Sequence, residues 1–186
     1  FTGLLLNKST TMNVTGTCNI SGNANSSRPW YGYGIASEQD HTLHIAGNGT
    51  LNATGGDANT GNGGAGIYIV TSNYGTESGA KLIIDGGITV NAKGGGSPNN
   101  QAGSAILAGW GDITIDHATV TAIGGTATGS VGGGGSGIQA FSSNSGEMGN
   151  ITINHSSVTA TGGSSAASNG GRGIDAFTDV TITGGT

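Results

Sequence analysis

Four aromatic residues have the types and spacing that could bind a sugar. Trp30, Tyr31 and Tyr33 lie within one short segment, 28–33, and Tyr68 lies further along the chain. Aromatic rings on a loop offer flat apolar faces on which a sugar ring can stack, whereas the same rings can also cover a corner of the core. Both interpretations stay open, and these four residues are the predicted ligand-binding positions.

Two histidines occupy equivalent places in two similar segments. His117 follows Asp116 and His155 follows Asn154, which is a combination of residue types found in metal sites. A metal ion usually takes three or four protein ligands, and the corresponding segments carry glycine at this place, as in Gly184. We therefore interpret the pair as part of a hydrated turn, and we predict neither a metal site nor a cofactor.

The repeat pattern does not bring the ten carboxylates of the chain together in one cluster. Polysaccharide-active β-helices use clusters of acidic residues with Arg or Lys, or calcium, on one face of the coils. Most of the acidic residues fall where turns or loops are expected, and Asp175 is the one that we place outward on a strand, with Gln139 and Leu107 as neighbours. We predict no catalytic residues and no enzymatic activity.

An internal repeat must position all of these side chains. The phrase ITINHSSVTATGG at 151–163 returns as ITIDHATVTAIGG at 113–125, LIIDGGITVNAKGG at 82–95 and LHIAGNGTLNATGG at 43–56. A second phrase of the form GIQA follows each copy after a stretch of variable length that is rich in Gly, Ser and Asn. Each unit is therefore predicted to form three short strands. The variable stretch is predicted to form an elastic corner, that is, one whose length differs from coil to coil.

Apolar residues at equivalent places predict three stacked inward-facing columns, because the side chains of a strand alternate with period two. The first column comprises Val14, Ile45, Ile84, Ile115, Ile153 and Ile182. The second comprises Cys18, Leu51, Val90, Val120 and Val158, with Ile20, Ala53, Ala92, Ala122 and Ala160 beside it. The third comprises Leu4, Ile35, Ile67, Ile106, Ile138 and Ile174. These columns predict an all-β fold, a right-handed parallel β-helix with three strands per coil and about five coils plus partial coils at both ends.

Composition limits the possible functions. The chain has 40 Gly, 8% charged residues and a net charge of −5. Glycine at this level favours disorder, but a disordered chain has no reason to keep a strand register. Five basic residues in total argue against nucleic-acid binding, and no apolar run has transmembrane length. We expect no membrane insertion in this segment.

The outward positions of the second strand are mostly Asn and Thr: Asn19, Asn52, Asn91, Thr121 and Thr159. A regular array of Thr on a flat face is what ice binding requires. Lys93 interrupts the neighbouring column, and exposed Thr is equally explained by its preference for strands. Ice binding is therefore the third hypothesis.

The phrases ITINHSSVTATGG and GGRGIDAF resemble the repeats of large, Gly/Thr-rich bacterial surface proteins. That adhesin-like class shares the right-handed β-helical architecture of pectate lyases. The resemblance covers nearly the whole chain, departs from the pattern in the first coil, and offers no catalytic residues. It implies an extracellular protein that is secreted or attached to the cell surface.

Two function classes follow. The leading hypothesis is a non-enzymatic scaffold or adhesin-like segment of a bacterial surface or secreted fibre, and the alternative is a carbohydrate-binding or polysaccharide-active β-helix. The expected partners are glycans, a host or neighbouring cell surface, and further copies of the chain stacked end to end. We expect one β-helix domain over residues 1–186, cut from a longer repeat protein.

Overall fold

The protein is a stack of short parallel β-strands. The computed structural model describes residues 3–23, 32–71, 79–142 and 149–186, and these stretches contain no helix, and hence none that is long and apolar enough to cross a membrane. The strands, numbered in chain order, are β1 (Leu4–Leu6), β2 (Thr10–Val14), β3 (Thr17–Ser21), β4 (Ile35–Glu38), β5 (Thr42–Gly47), β6 (Thr50–Thr54), β7 (Ile67–Val70), β8 (Ala80–Ile84), β9 (Thr89–Lys93), β10 (Ile106–Gly109), β11 (Gly111–Asp116), β12 (Thr119–Ile123), β13 (Ile138–Phe141), β14 (Ile151–Thr161), β15 (Ile174–Ala176) and β16 (Val180–Gly185).

Three parallel sheets run along the stack. The first contains β2, β5, β8, β11, β14 and β16, the second contains β3, β6, β9, β12 and the end of β14, and the third contains β1, β4, β7, β10, β13 and β15. Strand β14 turns the corner between the first two sheets as one continuous strand. Each coil thus visits all three sheets and returns one rung further on, by the parallel crossover whose right-handed sense is the rule in proteins. The predicted parallel β-helix is confirmed.

The predicted inward columns form the core. Ile45, Ile84, Ile115 and Ile153 are in register in the first sheet, and the predicted columns of the second and third sheets pair as expected from end to end. Most of these residues are fully buried in a single cluster. Branched and small side chains suit this core because like residues stack on like in a narrow interior.

One assignment in the first coil was wrong. Met12, not Val14, pairs with Ile45, and Val14 pairs with Gly47. The turn between β2 and β3 has the same length as the turn between β5 and β6. The pairing of Thr17 with Thr50 therefore fixes the register of Val14 against Gly47. A slip of two residues keeps the same face inward, which is why Val14 is still buried.

A continuous series of glycine-to-glycine hydrogen bonds runs along the corner between the second and third sheets. We call it the glycine seam, and its members are Gly32, Gly56, Gly64, Gly95, Gly103, Gly125, Gly135, Gly163 and Gly171. Each amide donates to the carbonyl of the member before it, at N···O distances of 2.6–3.0 Å. A Cβ at Gly95 would lie 2.1 Å from the carbonyl oxygen of Gly56, so no other residue fits there. Close approach of backbones therefore accounts for much of the glycine content.

The stretches beyond the glycine seam, predicted as an elastic corner, are themselves stacked. Ser97, Ala127 and Ser165 form parallel bridges from loop to loop. The hydroxyls of Ser97 and Ser165 each accept a bond from the amide three residues later, at 2.9 Å. These loops form an ordered rim on one side of the β-helix.

Candidate functional site

The strongest candidate binding surface is the outward face of the third sheet beside the rim. Register places one outward side chain from each rung in a single column: Leu5, Ala36, Tyr68, Leu107, Gln139 and Asp175. The first four side chains of the column are apolar or aromatic, and the last two are polar. The surface combines apolar contact with hydrogen-bonding groups, as ligand sites do.

Two of the predicted aromatic residues meet on this face. The rings of Tyr33 and Tyr68 stack with centroids 4.3 Å apart and an interplanar angle of 21°. Tyr33 is only 7% exposed and packs with Ala36 and Ala65, while Tyr68 is half-buried. Tyr33 therefore supports Tyr68 from the core side, and Tyr68 offers the larger exposed surface. The other two predicted residues, Trp30 and Tyr31, lie outside the described residues.

A small cavity opens beside the tyrosine pair. Its volume is about 110 Å³, and its lining includes Tyr33, Asn62, Gln101, Ser104, Leu107 and Gln139. We call this surface, together with Tyr68, the third-sheet groove. Strands β10 and β13 supply Leu107 and Gln139, and the rim loops supply Asn62 and Gln101. The sequence pattern did not indicate Asn62, Gln101 or Ser104, because they lie in stretches with no periodic signal.

A row of side-chain hydrogen bonds continues from the third-sheet groove. Ser104 Oγ donates to Gln139 Oε1 at 2.9 Å, and Gln139 Nε2 donates to Asp175 Oδ2 at 3.1 Å. Asp175 also pairs with Arg172. The bonds fix the orientation of the Gln139 amide, and such orientation reduces the entropy lost when a ligand binds. Within the described stretches, Asp175 is the one carboxylate of this column.

Two other carboxylates, those of Asp112 and Asp85, are held by partners in neighbouring coils. Asp112 and Asp116 lie within β11 and Glu38 lies within β4, so the expectation that Asp175 is the one carboxylate on a strand was wrong. Asp112 Oδ1 accepts bonds from the amide of Gly149 at 3.1 Å and from the amide of Asn150 at 2.9 Å. Asp85 Oδ1 is 2.8 Å from His44 Nε2. These contacts tie neighbouring coils together.

The histidine pair has a third member, Asp116, which the sequence pattern already placed beside His117. The rings of His117 and His155 stack with centroids 4.8 Å apart. Asp116 Oδ1 lies 2.9 Å from His117 Nδ1 and 3.8 Å from His155 Nδ1. The sequence interpretation rested on the number of rungs that supply histidine, and it did not count this carboxylate as a third ligand. The three side chains form a cluster at the corner between the first and second sheets.

The outward face of the second sheet carries three columns in register. The predicted Asn and Thr column is confirmed, and its asparagines are linked by bonds from Asn52 to Asn19 at 2.7 Å and from Asn91 to Asn52 at 2.8 Å. A column that the sequence reading did not single out lies beside it: Thr17, Thr50, Thr89, Thr119 and Ser157. On the other side, Lys93 and Ile123 interrupt the array of small hydroxyl side chains.

Comparisons with known proteins add no function to this geometry. The sequence matches no protein-family model, and no curated protein or solved structure is significantly similar to it. A β-helix by itself is compatible with many functions. The function must therefore be argued from the surfaces described above.

Proposed function

We propose that this chain is a non-enzymatic extracellular scaffold, an adhesin-like segment of a bacterial surface or secreted fibre that binds glycans. The observation that carries the proposal is the third-sheet groove, which lies on a continuously paired stack beside an ordered rim of loops. Such a stack holds its surface groups at fixed spacing, because every rung is paired with its neighbours. Binding residues on loops above a rigid scaffold are the common arrangement in recognition proteins.

Carbohydrate is the ligand class that the groove supports best. Sugars combine apolar ring faces with many hydroxyls, and the groove places the Tyr68 ring and Leu107 near oriented polar groups on Gln139 and Ser104. A volume of about 110 Å³ admits part of one sugar rather than enclosing it. We therefore expect weak binding that becomes firm when several copies are displayed together.

A glycan array tests the proposal, with the chain displayed multivalently on beads. Binding should be lost in Tyr68→Ala and weakened in Gln139→Ala. Each variant should still unfold in a single cooperative transition, with its midpoint lowered only by the loss of the contacts that the replaced side chain made. Phe177→Ala is the matched control, because Phe177 is an exposed aromatic that follows the strand β15 and does not line the groove. Equal loss in the control, or release of reducing sugar from any bound polysaccharide, would contradict the proposal.

Further copies of the chain are the second proposed partner. Ile182 stands in the first-sheet core column and is 63% exposed, so it offers an apolar side chain to another coil. Stacking of a coil from a second copy would bury this side chain and extend the first sheet. Sedimentation velocity over a range of concentrations tests this, with assembly expected to fall in Ile182→Lys.

A further inference from the structure

The cluster of Asp116, His117 and His155 has the chemistry and spacing of a metal site. Imidazole nitrogen and carboxylate oxygen are the ligands that zinc and copper take in proteins. All three side chains are accessible, with exposed fractions of 40% for Asp116, 66% for His117 and 58% for His155. A cation can therefore reach the ligand atoms from solvent without any rearrangement of the fold.

The distances are close to those that one ion demands. Ligand atoms about 2.1 Å from a metal, at angles between tetrahedral and octahedral, lie roughly 3.0–3.4 Å from one another. Asp116 Oδ1 lies 2.9 Å from His117 Nδ1 and 3.8 Å from His155 Nδ1, and the three ligand atoms all lie within 4.8 Å of one another. Rotation of the exposed His155 ring about its side-chain bonds covers the remaining difference.

The backbone at both histidines is unusual for residues other than glycine. His117 has φ 47° and His155 has φ 45°, both in the left-handed region. The neighbouring rung has Gly184 at this place, with φ 62°. Residues other than glycine that are held in this backbone region are concentrated at functional sites. The two imidazoles project from consecutive coils and stack one above the other.

The next rung leaves room for the His155 ring. A Cβ at Gly184 would lie 3.1 Å from His155 Cδ2, so a side chain there would press on the imidazole. Asn154, the partner of Asp116 in register, adds no charge to the cluster. Asp85 stands one rung before Asp116 and contacts His44, so it is not part of the cluster.

We propose that Asp116, His117 and His155 bind a divalent first-row transition-metal ion, with water completing the coordination. The donor set favours Cu²⁺ and Zn²⁺ over Mg²⁺ and Ca²⁺, which prefer oxygen ligands alone. The ion joins residues 38 positions apart along the chain, because His117 and His155 belong to consecutive coils. It acts as a clamp across the coils and raises the thermal midpoint.

Isothermal titration of the metal-free 186-residue chain with ZnCl₂ and CuCl₂ tests the site. We expect one ion per chain, tighter binding of Cu²⁺ than of Zn²⁺, no heat with MgCl₂, and a higher unfolding temperature with bound ion. His117→Asn, His155→Asn and Asp116→Ala should each weaken binding at least about tenfold. Asn tolerates the left-handed backbone, so the two histidine variants should fold as the wild type does.

His44→Asn is the matched control, since His44 also pairs with an aspartate, Asp85, but has no second histidine in register. It should bind Zn²⁺ and Cu²⁺ as the wild type does. Unchanged affinity in both His117→Asn and His155→Asn, or loss of affinity in His44→Asn, would overturn the proposal. Absence of binding by wild-type protein at millimolar ZnCl₂ would overturn it as well.

Discussion

The amide of Gly95 donates to the carbonyl oxygen of Gly64 at 2.8 Å, and the two glycines belong to consecutive coils. Gly64 in turn donates to Gly56, which precedes it within one coil, at 2.9 Å. Outgoing and returning segments thus alternate along the glycine seam. Each rim loop between Gly56 and Gly171 is thus closed at its base and is also hydrogen-bonded to a neighbouring coil.

The first prediction concerns the glycine seam. Gly103→Ala should destabilise the protein by about 3 kcal/mol, at the upper end of overpacking costs, because its Cβ would lie 2.0 Å from the carbonyl oxygen of Gly64. Gly16→Ala is the control, as its Cβ would meet nothing within 4 Å. That change should alter the free energy of unfolding by about 1 kcal/mol or less, in the stabilising direction. Urea unfolding followed by circular dichroism measures the free energy of unfolding of both variants. Equal losses of stability would contradict the close backbone contact at Gly103.

The second prediction separates burial from position in a column. Ile115→Ala removes a fully buried side chain and should cost about 2–5 kcal/mol of unfolding free energy. Ile182→Ala changes the same column where the side chain is exposed, and its cost should stay within about 0.5 kcal/mol. Chemical unfolding of the monomer at low concentration tests the pair. Similar losses in both variants would mean that another coil covers Ile182 in solution.

The third prediction concerns the loop that follows β13. The Asp112 carboxylate accepts bonds from both the backbone amide and the side-chain amide of Asn150, so Asp112→Ala should cost about 1–3 kcal/mol. Asp112→Asn keeps one acceptor oxygen and should recover part of that loss. Thermal unfolding compares the two variants. A loss as large in Asp112→Asn as in Asp112→Ala would show that charge, rather than an acceptor at this point, is what matters.

The fourth prediction concerns ice. Lys93 and Ile123 interrupt the hydroxyl-bearing face of the second sheet, so the wild-type chain should show no more thermal hysteresis than an unrelated protein of equal concentration. Nanolitre osmometry measures this. Hysteresis in the wild type that increases in Lys93→Thr would instead establish the face as ice-binding.

The sequence predicted the core well because the core is periodic. Ile45, Ile84, Ile115 and Ile153 are each apolar within an alternating strand, and stacking like on like follows from one repeat unit. The sequence left two interpretations open for Tyr33, a ligand platform or a cap over a corner of the core. The structure stacks its ring on that of Tyr68 and leaves Tyr33 only 7% exposed. A loop residue carries no periodic signal that would tell a buried ring from an exposed one.

The sequence by itself determined the strands, the three inward columns and the parallel stacking, because those depend on local alternation and a repeated unit. The tertiary structure decided which polar groups meet. Asp116 and His155 are 39 residues apart in the chain, and only coil stacking brings the carboxylate to within 3.8 Å of the imidazole. The glycine seam could not be predicted from the sequence either. A pair of glycines does not indicate which backbone atoms would lie about 2 Å from an added Cβ. Contacts between rungs depend on the rise of the β-helix per coil and on the length of each turn, and a single repeat does not reveal either quantity.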